Sequence, residues 1–178
     1  MVQLLPLDER LERAAQLVIR SRIFFDIWFY YQGPTRSKII DTMNEFSDFF
    51  RFDDHAHFVA FIIQAAALFD KHKGTISLPR LASEMKSGRL IAAADAAAVD
   101  ALLAGAAPLA RKVTILRSNL FAHRSALISY ANAFRMAAVT PDQLRDLTEL
   151  ALRIANRLLL ARGLRDLCRL LLERAPAV

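Results

Sequence analysis

The sequence predicts an all-α fold, a single-domain helical bundle of about six to eight helices spanning residues 1–178. Three observations lead there. The 178 residues are 54% apolar, enough to bury one core. Only 5 Gly and 6 Pro are present, too few for the many turns of a β-sandwich. Apolar residues return every three or four positions rather than alternating.

Residues 7–31 read as one long amphipathic helix, with Leu11, Ala14, Ala15, Val18, Phe25 and Trp28 or Phe29 on its stripe, until Gly33-Pro34 stops it. Its far end carries the aromatic run IFFDIWFYY, read as core. Thr35 or Ser37 can cap a second helix running to Phe50 on the stripe Ile39, Ile40, Met43, Phe46 and Phe50. Asp53 and Asp54 suit the free amides of a fresh helix start, leading through HFVAFIIQAAALF to Asp70. That segment is apolar nearly all round and belongs at the bundle centre. After a loop at 71–75, Ser77 caps LPRLASEMKSG with Pro79 in its first turn. Residues 90–104 form an alanine-rich helix, and Gly105 and Pro108 break or bend the path before a helix from about Pro108 to His123. Residues 124–139 read as helix or as an excursion packed on a neighbour. Thr140-Pro141-Asp142-Gln143 is a strong helix start, and Leu144, Leu147, Ala151, Ile154, Leu158 and Ala161 continue the stripe to Gly163. A short leucine-rich helix follows.

Composition excludes several classes. The single cysteine, Cys168, rules out an internal disulfide framework and a cysteine-built zinc site, so a reducing cytoplasmic setting is expected. Asp8 appears early and no basic stretch precedes an apolar core, so no secretory leader is expected. The longest weakly polar run, Ala56 to Phe69, falls short of the roughly 20 residues that cross a membrane, so no membrane partner is expected. No glycine-rich phosphate loop, HExxH or GxSxG is present, and no cofactor is implied. His55 and His57 next to Asp53 and Asp54 invite a metal reading. On a helix, however, the two imidazoles point about 200° apart, and no metal is expected.

Charge is unevenly placed. Residues 1–100 hold 12 basic and 13 acidic side chains and residues 142–178 hold 7 and 5, whereas residues 101–141 contain Arg111, Lys112, Arg117, Arg124 and Arg135 with no Asp or Glu. A stretch of charge +5 without internal counter-ions suits a phosphate-bearing partner, although a solvated helix face has the same composition.

Within that stretch, RKVTILRSNLFAHRS at 111–125 brings Arg117, Asn119 and His123 together. At about 100° per residue, Asn119 and His123 lie nearly one above the other and Arg117 about 120° round from His123. Such a trio suits phosphodiester chemistry. The guanidinium is a permanent planar fork for two phosphate oxygens. Imidazole gives or takes a proton near neutral pH, and the carboxamide donates to an oxygen or fixes the imidazole tautomer.

RSNLFAHRS resembles the Arg-x(4–6)-His motif of HEPN domains, helical bundles that commonly act as metal-independent endoribonucleases in toxin and phage-defence systems. ALFDKHKGTISLPRLASEM at 67–85 together with LRSNLFAHR at 116–124 resembles, more narrowly, the abortive-infection AbiU-type branch. The residue after the motif Arg is Ser118, with Asn at 119, so either of these fills the family's polar position. The resemblance implies a HEPN-like homodimer, dimerising through the motif helix, in which each protomer brings Arg117, His123 and Asn119 to a shared cleft. One imidazole assists attack of a ribose 2′-hydroxyl and its mate protonates the leaving oxygen. Ser118, Arg124, Lys112 and Arg111 are the expected substrate-binding residues around that cleft. RNA is the expected partner, with an antitoxin protein possible, and an acidic residue at position 70 is a supporting feature of the branch. Two rivals stand beside this reading: a non-catalytic module that holds RNA or a protein on the same basic surface, and a plain helical dimer whose motif only packs.

Overall fold

A computed structural model describes residues 4–72, 74–122 and 129–165, and all regular structure among them is helical. In chain order the elements are α1 (Leu7–Gln32), a 3₁₀ turn (Pro34–Lys38), α2 (Ile40–Glu45), α3 (Ser47–Leu68), α4 (Leu78–Ser87), α5 (Ala93–Leu116), a π-helical segment (Arg117–Ala122), α6 (Tyr130–Ala137) and α7 (Pro141–Ala161). The all-α expectation is met by seven α-helices among the described residues. The expected C-terminal helix, with Cys168, lies outside them.

Helix α1 packs along α3 and α7, and α5 packs on α7, α6 and α3. The core between them is built from the predicted stripes: Leu11, Val18 and Phe25 of α1 meet Phe61 and Ile62 of α3 and Leu147, Ile154 and Leu158 of α7, all of them buried. Each such side chain contributes about 1.5–3 kcal/mol by leaving water. The aromatic run at the end of α1 is core in part: Phe25 is buried and stacks on Phe29 with centroids 5.5 Å apart, and Trp28 leans on Phe58 at 4.9 Å, whereas Ile23 and Tyr30 are exposed. Ion pairs tie the helices from outside. Arg10 of α1 forks onto both carboxylate oxygens of Glu84 in α4 at 2.6 Å, and Arg162 reaches Asp8 at 2.8 Å, joining the two ends of the fold.

The start of α7 behaves as predicted. The Thr140 hydroxyl accepts the Gln143 N–H at 3.2 Å and the Gln143 side chain accepts the Thr140 N–H at 3.3 Å, a reciprocal capping box. Gly163 then ends the helix in the left-handed region at φ +67°. The segment left open at 124–139 contains α6 from Tyr130, where Ser129 Oγ accepts the Asn132 N–H at 3.3 Å.

Three expectations are corrected. The helix foreseen from Thr35 to Phe50 is broken at Phe46, and α3 begins at Ser47 rather than at Asp53. Asp53 and Asp54 are interior residues of α3 that accept hydrogen bonds from Tyr31 Oη (2.8 Å) and Gln32 Nε2 (2.9 Å), so tertiary partners rather than free amides hold them. The first turns of α3 are therefore exposed, and only Phe58 onward is core. Ser77 stands at the N-cap of α4, but its hydroxyl makes no cap bond and is buried without a partner. Finally, α5 runs unbroken through Gly105 and Pro108. Proline inside a helix removes one backbone bond and costs roughly 3 kcal/mol. Packing of α5 along α7, where Leu150 lies 4.0 Å from the Gly105 Cβ direction, carries the helix across that defect. This continuity yields a stretch, Ala93–Phe121, long and apolar enough by length and composition alone to cross a membrane, longer than the run at 56–69.

Candidate active site

Helix α5 changes pitch where the motif begins. The Arg117 N–H still reaches the Val113 and Thr114 carbonyls, and from Arg117 to Ala122 the helix widens into π turns. Side-chain competition accompanies the change: Asn119 Nδ2 donates to the Ile115 carbonyl, one turn back, at 2.8 Å. The widened segment is seated by Leu120, which is buried, and by Phe121, whose ring meets Phe58 at 6.1 Å and His55 at 6.3 Å on α3. Isolated π turns inside α-helices are frequent at functional sites because they displace side chains from the regular register. The regular 100° spacing therefore holds through Leu116 and does not apply to Arg117 and Asn119, while His123 lies outside the described residues.

Arg117 lines the mouth of a groove of about 720 Å³. One wall is the outer face of α5, with Leu103, Ala104, Ala107, Arg111 and Thr114; the other is the end of α3 and the following loop, with Ala66, Phe69, Asp70 and Lys71. Arg111 and Lys71 are exposed and Arg117 half-buried, and none of the three pairs with a carboxylate among the described residues. Asp70 is the one carboxylate lining the groove among the described residues, and its Oδ1 accepts the His72 N–H at 2.9 Å. Among the described lining residues three cations stand against one carboxylate, which makes this groove positive alongside its apolar side chains.

Of the sequence-predicted site residues, Arg111 and Arg117 are brought together here, with Asp70 beside them. Ser118 is half-buried on the widened turn and makes no hydrogen bond to a described residue. The carboxamide of Asn119 is engaged by the helix itself. Lys112 lies off the groove: its ammonium donates to the Ala138 carbonyl at 2.6 Å and to Gln143 Oε1 at 2.8 Å, latching α5 to the α6–α7 turn. His123 and Arg124 lie outside the described residues. Lys71 escaped the sequence reading because only the fold brings the loop after α3 to the motif end of α5; no spacing signal encodes it. Among the described residues no group of three or more His, Cys, Asp or Glu side chains could hold a metal ion. His57 is engaged elsewhere, its Nδ1 2.8 Å from the Asp53 carbonyl.

An arginine-lined groove of this kind can hold phosphate oxygens bidentately, and its apolar floor can take a flat or aliphatic moiety. No curated protein and no solved structure gives a significant match to the chain. The family model for AbiU2, a HEPN family, matches residues 4–162. That match spans most of the chain and includes both the widened motif turn and the loop that carries Asp70. The chain belongs to the AbiU2-type HEPN family, whose members are associated with abortive infection.

Proposed function

We propose that the protein is a metal-independent endoribonuclease, or ribonuclease-like toxin, of a bacterial toxin or phage-defence system, working in the cytoplasm as a homodimer with a composite Arg117/His123 site. One observation carries the reading furthest: Arg117 opens a widened helical turn at the mouth of a positive groove and is unpaired by any described carboxylate, so its guanidinium is available to an anion.

In the proposed reaction His123 of one protomer takes the proton of a ribose 2′-hydroxyl as that oxygen bonds to phosphorus. The partner's His123 gives a proton to the departing 5′-oxygen as the P–O5′ bond breaks, leaving a cyclic phosphate and a free 5′-hydroxyl. Arg117 and Arg111 bear the charge that builds on the non-bridging oxygens. Asn119 holds the widened turn through the Ile115 carbonyl, and Ser118 on the same turn offers a hydroxyl that makes no hydrogen bond to a described residue. Lys112 maintains the fold beside the site rather than touching RNA.

The test is single-stranded RNA incubated with the purified dimer in EDTA. Cleavage that disappears in His123→Ala and in Arg117→Ala, with unfolding unchanged in both, is the expected result. The engagement of Asn119 by its own helix favours a second reading, a non-catalytic RNA-binding dimer. Binding without turnover, weakened by Arg117→Ala at low salt, would establish that one instead.

A further inference from the structure

We propose that the groove holds one unstacked nucleotide of an RNA strand, the base lying between Phe69 and the alanine wall of α5 and the phosphates on Lys71, Arg111 and Arg117. This rests on the RNA-directed reading above but does not require cleavage.

The exposed face of a surface helix is ordinarily polar. Here Ala104 and Ala107, both exposed, stand where charged side chains would be expected, and they make a low, flat wall. The hydroxyl on that wall, Thr114 Oγ1, already donates to the Ala110 carbonyl at 2.8 Å. The wall therefore offers a low aliphatic surface for the π-face of a base and little to hydrogen-bond with, which suits a base held by stacking rather than read by its edge. Opposite, half-buried Phe69 is the one aromatic side chain lining the groove among the described residues. Along α5 the apolar part precedes the charged part: Leu103 to Arg111 is about 12 Å of helix, so base and backbone have separate places end to end. Lys71, on the loop after α3, lines the same groove as Arg111 and Arg117 on α5 and its end, so the cations come from both walls. Asp70 repels phosphate from its own position and leaves one carboxylate oxygen able to accept an N–H from the base edge. A groove of about 720 Å³ falls within the size range of ligand clefts.

The probe is a short 2′-O-methyl RNA strand, which lacks the attacking hydroxyl, so binding is measured apart from cleavage. Fluorescence anisotropy compares the intact strand, the same strand carrying one abasic site at each position in turn, and its duplex. The expected result is a loss of about 5- to 150-fold at one abasic position, the range for removing a stacked base, and weak binding of the duplex. Phe69→Leu should weaken the intact strand similarly but add little to the abasic one. Lys71→Ala should weaken both strands alike and reduce the salt slope by about 0.7, as for one lost single-strand phosphate contact, whereas Arg153→Ala on α7 should change neither. Indifference to every abasic position, or strictly additive losses for Phe69→Leu and the abasic site, overturns the proposal. Should Phe69→Leu fail to fold, the abasic scan and the Lys71→Ala salt slope on the wild-type background still decide it. Cleavage of the unmodified RNA strand without an abasic effect on the 2′-O-methyl probe would remove the base site and leave the nuclease reading; an abasic effect on the probe with no cleavage of the unmodified strand would do the reverse.

Discussion

Replacing Lys112 and Arg117 separately should divide folding from RNA binding, although both lie in the same acid-free stretch. The Lys112 ammonium makes two hydrogen bonds across the α5 to α6–α7 junction, at 2.6 and 2.8 Å, and the residue is half-buried. One of its acceptors belongs to Ala138, which the chain holds at φ +45°, a conformation unfavourable for a residue with a Cβ. Charged hydrogen bonds contribute about 1.5–3 kcal/mol each when well buried; partial exposure reduces the pair to about 1–2 kcal/mol. At roughly 2–4 °C per kcal/mol for a domain of this size, Lys112→Ala should lower the melting temperature by about 2–8 °C. Its affinity for single-stranded RNA at low salt should stay close to that of the wild type. Arg117 makes no ion pair with a described residue, so Arg117→Ala should leave the melting temperature nearly unchanged, within about 0.5 kcal/mol, and weaken RNA binding. Differential scanning fluorimetry and anisotropy on the two variants read both quantities. A stable Lys112→Ala protein that loses RNA as completely as Arg117→Ala would refute the assignment of Lys112 to the fold.

Further outcomes follow from the same geometry. Thr140→Ala breaks the reciprocal cap of α7 and should cost about 1 kcal/mol in chemical denaturation, with helix content almost unchanged. The Arg10 guanidinium, through its hydrogen bonds, holds the Glu84 carboxyl below its ordinary value of 4.5. The stability this confers is present above pH 4.5 and is lost as pH falls through the lowered value, so wild type and Glu84→Gln should differ near neutrality and converge in acid. Burial, and then the hydrogen bond to Asp53, push the Tyr31 phenol up to about 12. An ultraviolet titration should show one tyrosine resisting ionisation beyond the ordinary value of 10, and a stability contribution that is complete below pH 10 and fades towards pH 12, absent in Tyr31→Phe.

What the sequence discloses depends on how local its cause is. The stripes of α1 and α7 are legible because burial on one side imposes a helical repeat, and the Thr140 box because its two hydrogen bonds join residues only three apart. The break at Phe46 and the unbroken course of α5 are not legible, since each is settled by packing partners distant in the chain. Pro108 is a correct local warning that tertiary contact overrides. At the site, the motif pointed to Arg117 and the acid-free stretch pointed to Arg111, and these two line one groove. The same charge argument could not separate Lys112, one residue along, because it cannot tell a cation facing solvent from one donating to a carbonyl 26 positions away. Lys71 enters the groove only through the fold, and the widened turn could not be foreseen from a periodicity that assumes a uniform helix.

In the proposed reaction Arg117 and His123 act on a ribose phosphodiester. The most direct measurement offers the purified protein, in EDTA, a single-stranded RNA and the same strand carrying one 2′-deoxyribose at the cleaved nucleotide, with the product ends identified by mass spectrometry. Expected are cyclic phosphate and 5′-hydroxyl ends from the first strand and no cut at the substituted position in the second. Equal cleavage of the deoxy-substituted position, or products bearing a 5′-phosphate, would contradict it.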